Sequence, residues 1–187
     1  IIFHCIIASW LMYLLARQFG LNHFSSFLSG LIFAYSGSIG YRAFGQPNIM
    51  YSSIWIPAVL FFFIKSLRPS EMFRRIFYAN IAGLFLGLCI LAGHHQPFLY
   101  VCLAVLMLSS VLWFSKSFRE QLVGGICSFQ GSARKWIIAL TGLVLFFALA
   151  YSSLQFFISL EYAPEAYRWT TDATPVIATE TIPYSIA

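Results

Sequence analysis

Leu91 to Pro97 reads L-A-G-H-H-Q-P, and the reading of this stretch decides the fold. One long apolar run, 76–93, ends on it, and another, 98–114, starts just past the proline. Crossing a hydrocarbon core of about 30 Å takes about 20 mostly apolar residues, so the stretch reads as the turn of a membrane hairpin. The runs are long and few, which favours helix over strand by length alone. The alternating segments of about ten residues that a membrane barrel needs are absent.

Working outward from the turn, the same criterion predicts about six spans, at 1–16, 24–41, 49–64, 76–93, 98–114 and 136–158. The expected fold class is all-α, a polytopic transmembrane helix bundle, with 159–187 starting an extracytoplasmic segment. Pro57 is expected to kink the third span. The stretches 65–75 and 115–135 read as polar loops. Composition agrees: 60% of residues are hydrophobic, 9% are charged and the mean hydropathy is +0.80. Soluble domains run near about 25% charged.

The formal charge of +5 would point to nucleic acid in a soluble protein. Here its distribution gives another cause. Nine of the eleven Lys and Arg (Arg17; Lys65, Arg68, Arg74 and Arg75; Lys116, Arg119, Arg134 and Lys135) fall on one side of a six-span alternation. Only Arg42 and Arg168 fall on the other, together with Glu161, Glu165, Asp172 and Glu180. The positive-inside rule then makes 65–75 and 115–135 cytoplasmic, and 42–48, 94–97 and 159–187 extracytoplasmic. Nucleic acid is not an expected partner; the lipid bilayer is. The basic clusters suit anionic headgroups. Tyr41, Tyr51, Tyr100 and Tyr162 near outer ends, and Tyr78, Trp113 and Trp136 near inner ends, fit interfacial belts.

Cys5, Cys89, Cys102 and Cys127 contain no C-x-x-C pair, and three of them sit inside apolar runs, so packing is expected rather than disulfides. The chain opens at Ile1 inside an apolar run without a basic leader, which reads as an internal piece of a longer membrane protein and not as a signal peptide. Gly83/Gly87, Gly30/Ala34 and Ser36/Gly40 are small-x-x-x-small pairs, expected to pack spans two and four together.

Polar side chains gather on the outward side: Arg42, Gln46 and Asn48 after span two, His94, His95 and Gln96 after span four, and Gln155, Glu161 and Arg168 around the end of span six. Polar groups at membrane depth are costly unless paired or facing water, which makes them site candidates. Gln155, within the last turns of its span, is expected to need a buried partner. The plain reading of 94–96 is a hairpin cap that solvates helix-end carbonyls. Haem ligation by His94 with His4 would need a pair deeper in the bundle, and zinc would need three or four ligands at suitable spacing, so no metal site is expected. His23, beside Asn22 in a cytoplasmic turn, reads as an ordinary turn residue.

Several blocks together resemble the YfhO-type bacterial membrane proteins, whose architecture is related to the C-type glycosyltransferases. They are G-L-N-H-F-S-S-F-L-S-G-L-I-F-A-Y-S-G (Gly20–Gly37), G-Q-P-N (Gly45–Asn48), W-I-P (Trp55–Pro57), L-A-G-H-H-Q (Leu91–Gln96) and Q-F-F-I-S-L-E-Y-A-P-E-A-Y-R (Gln155–Arg168). The family turn usually reads G-H-P-Q, where this chain has His95 in the third position, and Ala166 replaces a frequent serine.

The resemblance implies sugar transfer on the outer face of the bacterial cytoplasmic membrane. The donor would be a polyprenyl-phosphate sugar and the acceptor a glycan, lipid or cell-wall polymer. Charge builds on the departing lipid phosphate, and Arg42, Arg168 and protonated His94 or His95 could meet it. Asn48, Gln96, Gln155 and Glu161 complete the implied substrate-binding set. The resemblance implies no cofactor, and is compatible with a divalent cation. The acceptor needs a general base, usually a carboxylate. In the related transferases it lies in the first outer loop, which is expected upstream of Ile1, so no catalytic residue is assigned here. The alternative is a non-catalytic transporter or assembly subunit for envelope lipid or polysaccharide. A transporter would carry broken, paired half-helices; Pro57 is one break, but no internal repeat accompanies it.

Overall fold

The computed structural model describes residues 2–37, 39, 45–68, 71–93, 95–123 and 133–162. Among them the chain is all-α. In order come α1 (Ile2–Gln18), α2 (His23–Ala34), α3 (Pro47–Ser53), α4 (Ile56–Leu67), α5 (Met72–Leu91), α6 (His95–Phe114), α7 (Lys116–Val123) and α8 (Ala133–Tyr162). Four segments are long and apolar enough to cross a membrane: Pro47–Leu67, Met72–Leu91, His95–Phe114 and Arg134–Glu161. The apolar helices α1 and α2 are shorter. By length and composition this is a membrane protein. Two compact units are present, Ile1–Ser152 and Ser153–Ala187. In the second, the described part is the last turns of α8.

The helix ends have local causes. Gly20, at φ +87°, closes α1: its N–H bonds Arg17 and the Leu21 N–H reaches back to Ala16. This pairing satisfies the last carbonyls, and the left-handed residue suits glycine. Two residues on, Asn22 caps α2 by accepting from the Ser25 N–H at 2.7 Å. The Asn22–His23 turn is thus a structural hairpin, and His23 Nδ1 lies 2.9 Å from the Tyr13 hydroxyl.

Within the span predicted at 24–41, the first helix is α2, and 38, 40 and 41 lie outside the described residues. α2 ends at Ala34, where Ser36 Oγ donates to the Phe33 carbonyl at 3.1 Å. Serine competing for a backbone carbonyl interrupts the helix at Tyr35 and Ser36, and Gly37 and Ile39 are helical again. The third span is broken as expected. Ile54 and Trp55 separate α3 from α4, because Pro57 has no N–H for the Ser53 carbonyl and its ring crowds that oxygen.

Two expectations about loops need correction. His95, Gln96 and Pro97 lie in the first turn of α6, not in the hairpin loop. Proline is tolerated there, since first-turn N–H groups have no intrahelical acceptor. The loop 115–135 contains α7, begun by the Ser115 hydroxyl, which accepts from the Phe118 N–H at 3.3 Å. Only Phe118, Leu122 and Val123 give α7 an apolar side, and Leu122 and Val123 are buried.

The main core joins α1, α4, α5, α6, α7 and α8 through residues such as Leu15, Phe63, Leu86, Val105, Leu122 and Val144. A second cluster of Cys5, Ala8, Ala34, Ile39, Met50 and Ile54 ties α1, α2 and α3 together. Lipid tails are as apolar as leucine, so close packing and interhelical hydrogen bonds carry helix association. The small-residue pairs serve this, with different partners from those expected. A Cβ on Gly83 would come within 2.5 Å of Phe147 Cβ, and one on Gly87 within 3.0 Å of Tyr151 Cβ, so both face α8. A Cβ on Gly30 would instead come within 2.5 Å of the Ser9 carbonyl of α1. Span four therefore packs through its glycines on span six, and span two on span one. Gly40 lies outside the described residues.

The basic ends of the helices are engaged with neighbouring groups. Lys65 Nζ sits over the Phe61 and Tyr78 rings, Arg75 over Trp136 at 5.0 Å and Arg134 over Trp113 at 5.6 Å. Arg119 donates to the Leu112 carbonyl at 2.9 Å, Arg17 to Leu21.

Candidate functional site

At the opposite ends of these same helices the chain forms a pocket of about 240 Å³. Its walls are Phe33, Ser36 and Ile39 at the exit of α2, Ile49, Met50, Ser53 and Ile56 along α3 and the start of α4, and Gln96, Pro97 and Tyr100 on α6. That is slightly below the roughly 300–1,000 Å³ usual for small-molecule sites. Three features of sequence converge here. The break before Pro57 separates α3 from α4, Ser36 follows the end of α2, and the early start of α6 places Gln96 on the wall.

The turn itself is shaped by Gly93. At φ +82° it ends α5, and its N–H bonds the Ile90 carbonyl at 2.9 Å. From α3, Ser52 Oγ donates to the Cys89 carbonyl at 2.7 Å, fixing α3 to the end of α5.

The residues singled out from sequence separate into three groups. Gln96 lines the pocket. Asn48 and His95 are exposed in the first turns of α3 and α6, on the helices that build the wall, without lining it themselves. Gln155 and Glu161 belong to the second unit and are exposed on α8. Gln155 was expected to need a buried partner; instead it is exposed, with Nε2 3.5 Å from Ser159 Oγ one turn on. Arg42, His94 and Arg168 lie outside the described residues.

Other residues emerge only in three dimensions. Ser53 donates its proton to the Ile49 carbonyl at 2.7 Å, so its oxygen is an acceptor on the pocket wall. Tyr100, assigned to the interfacial belt, lines the same wall one helical turn from Gln96; the i, i+4 spacing is the signal that could have found it. Between α1 and α3, the His4 ring packs 4.6 Å from that of Tyr51. His4 Nδ1 is buried without a hydrogen-bond partner among the described residues. The lining offers an amide, hydroxyls and a phenol in an apolar frame, a set that suits a ligand with its own hydroxyl groups and an apolar part.

Among the described residues no group of three or more His, Cys, Asp or Glu is placed to hold a metal ion. No family model matches the chain, and neither a curated protein nor a solved structure matches it.

Proposed function

We propose that this chain is part of an integral membrane glycosyltransferase-like protein that moves a sugar from a polyprenyl-phosphate donor on the extracytoplasmic face of a bacterial cytoplasmic membrane. The observation that carries the reading is the pocket at 33–39, 49–56 and 96–100, at the helix ends opposite the basic cluster. It holds Gln96 from the stretch that bears the YfhO-type resemblance, and its mixed lining suits a sugar joined to a lipid. In this reading Gln96 hydrogen-bonds the donor's phosphate or sugar, and Asn48 and His95 stand at the rim. The acceptor would be a glycan or lipid of the envelope.

The test is turnover of a labelled polyprenyl-phosphate sugar by membranes carrying the intact protein. Gln96→Ala should lower turnover roughly tenfold or more, the loss of one hydrogen bond to a charged group. Unchanged turnover, with helicity and expression preserved, would reject Gln96 as a donor contact.

A second reading, a non-catalytic transporter or assembly subunit for envelope lipid, draws on the same wall. Phe33, Ile39, Ile49, Met50, Ile56 and Pro97 outnumber its polar members. Retained binding of the lipid-linked sugar without any turnover would favour it.

A further inference from the structure

Between α6 and α8, at the end that carries the basic residues, runs a groove of about 470 Å³. Leu106, Trp113, Phe114, Ile138 and Gly142 are among its walls, and Leu106, Phe114 and Ile138 are exposed, so it opens sideways from the bundle. Its hydroxyls are bonded to backbone carbonyls, with Ser109 and Thr141 buried and Ser110 exposed. Ser109 and Thr141 face each other at 2.8 Å and each bonds a carbonyl of its own helix at 2.7 Å, while Ser110 bonds Leu106 at 2.9 Å. To an occupant the groove is therefore apolar along its length. Its mouth is not. Arg134 is exposed there with its guanidinium over Trp113, and no hydrogen bond or ion pair engages it among the described residues. Stacking uses the guanidinium face and leaves the N–H edge for a planar or tetrahedral anion.

We propose that this groove binds one anionic phospholipid, an acyl chain lying against Phe114, Ile138 and Gly142 and the headgroup phosphate on Arg134. Charge complementarity selects this occupant over another apolar helix, which would leave the arginine facing an uncharged neighbour. The inference is independent of the glycosyltransferase reading, since it concerns the opposite ends of the helices.

Gly142 allows a direct test. A Cβ built there meets no atom within 4 Å, so the side chain of Gly142→Leu starts into the open groove and occupies it, and leucine raises helix propensity. Native mass spectrometry of the purified full chain would compare phosphatidylglycerol with phosphatidylcholine of identical acyl chains. The wild type should retain phosphatidylglycerol about fivefold more strongly, the contribution of one basic side chain near a headgroup. Arg134→Gln should erase the preference. Gly142→Leu should erase retention of phosphatidylglycerol with thermal unfolding unchanged. Equal retention of the two lipids by the wild type would overturn the proposal, as would undiminished retention by Gly142→Leu. A dimer that Gly142→Leu dissociates would also overturn it, assigning the groove to a second copy of the chain.

Discussion

Ser52 Oγ donates to the Cys89 carbonyl at 2.7 Å, joining two residues from different helices. In an uninterrupted α5 that carbonyl would receive the Gly93 N–H, which bonds Ile90 instead. Ser52 is fully buried, as is Cys89, so the serine replaces a hydrogen bond that the turn takes away. Ser52→Ala should cost about 1–3 kcal/mol, the penalty for a buried acceptor left unpaired. Denaturant unfolding in detergent measures that loss. Hydrogen exchange should rise at 90–93 and spare α7. A loss below about 0.5 kcal/mol, the bottom of the range for a net hydrogen bond, would mean that water or another group takes over the carbonyl.

The glycines give a prediction by contrast. Gly83→Ala puts a methyl 2.5 Å from Phe147 Cβ and 2.9 Å from the Val144 carbonyl, neither of which is a flexible side-chain tip. α5 and α8 must separate, at about 1–3 kcal/mol for overpacking. Gly142→Ala enters open space and should be neutral or stabilising by up to about 1 kcal/mol through helix propensity. Thermal unfolding of both variants in the same detergent decides it. Equal effects would mean that α5 and α8 do not touch at Gly83.

These contacts show where sequence was informative. The hairpin at 91–97 was legible because a glycine and polar residues interrupt two spans, and the break near Pro57 because proline has a defined steric cost. The small-residue pairs show that a helix can be approached closely, but not by which neighbour; Gly83 and Gly87 met α8 rather than α2. α7 was illegible because polar and charged residues fill five of its eight positions and only Phe118, Leu122 and Val123 carry the helical pattern. At the pocket, Gln96 stood out as polar beside a span. Ser53 and Tyr100 did not, since each is ordinary in a membrane helix until the ends of α2, α3 and α6 come together.

Arg75 is buried at 3% exposure and lies over the Trp136 ring at 5.0 Å, linking the first turns of α5 and α8. A desolvated cation gains about 2 kcal/mol from an indole face. Trp136→Leu keeps an apolar side chain but removes the quadrupole and part of the bulk, so it should destabilise by at least about 1–2 kcal/mol. Trp136→Phe should recover part of the loss. If the leucine and phenylalanine variants unfold at the same temperature, the contact is packing alone.

The proposed orientation makes opposite demands on two exposed residues. Asn48 stands in the first turn of α3, beside the pocket, and Ser117 in the first turn of α7, among the basic residues. Positive charge is retained on the cytoplasmic side, so the two should face different compartments. With the four native cysteines replaced, Asn48→Cys should react with a membrane-impermeant thiol reagent in intact cells, and Ser117→Cys only after permeabilisation. Both side chains are exposed, so protection at 117 would report the membrane barrier and not burial in the fold. Reaction at 117 with protection at 48 would invert the orientation and place the pocket in the cytoplasm. A polyprenyl-phosphate donor presented on the outer face would then be out of reach, and the glycosyltransferase reading would fall with the topology.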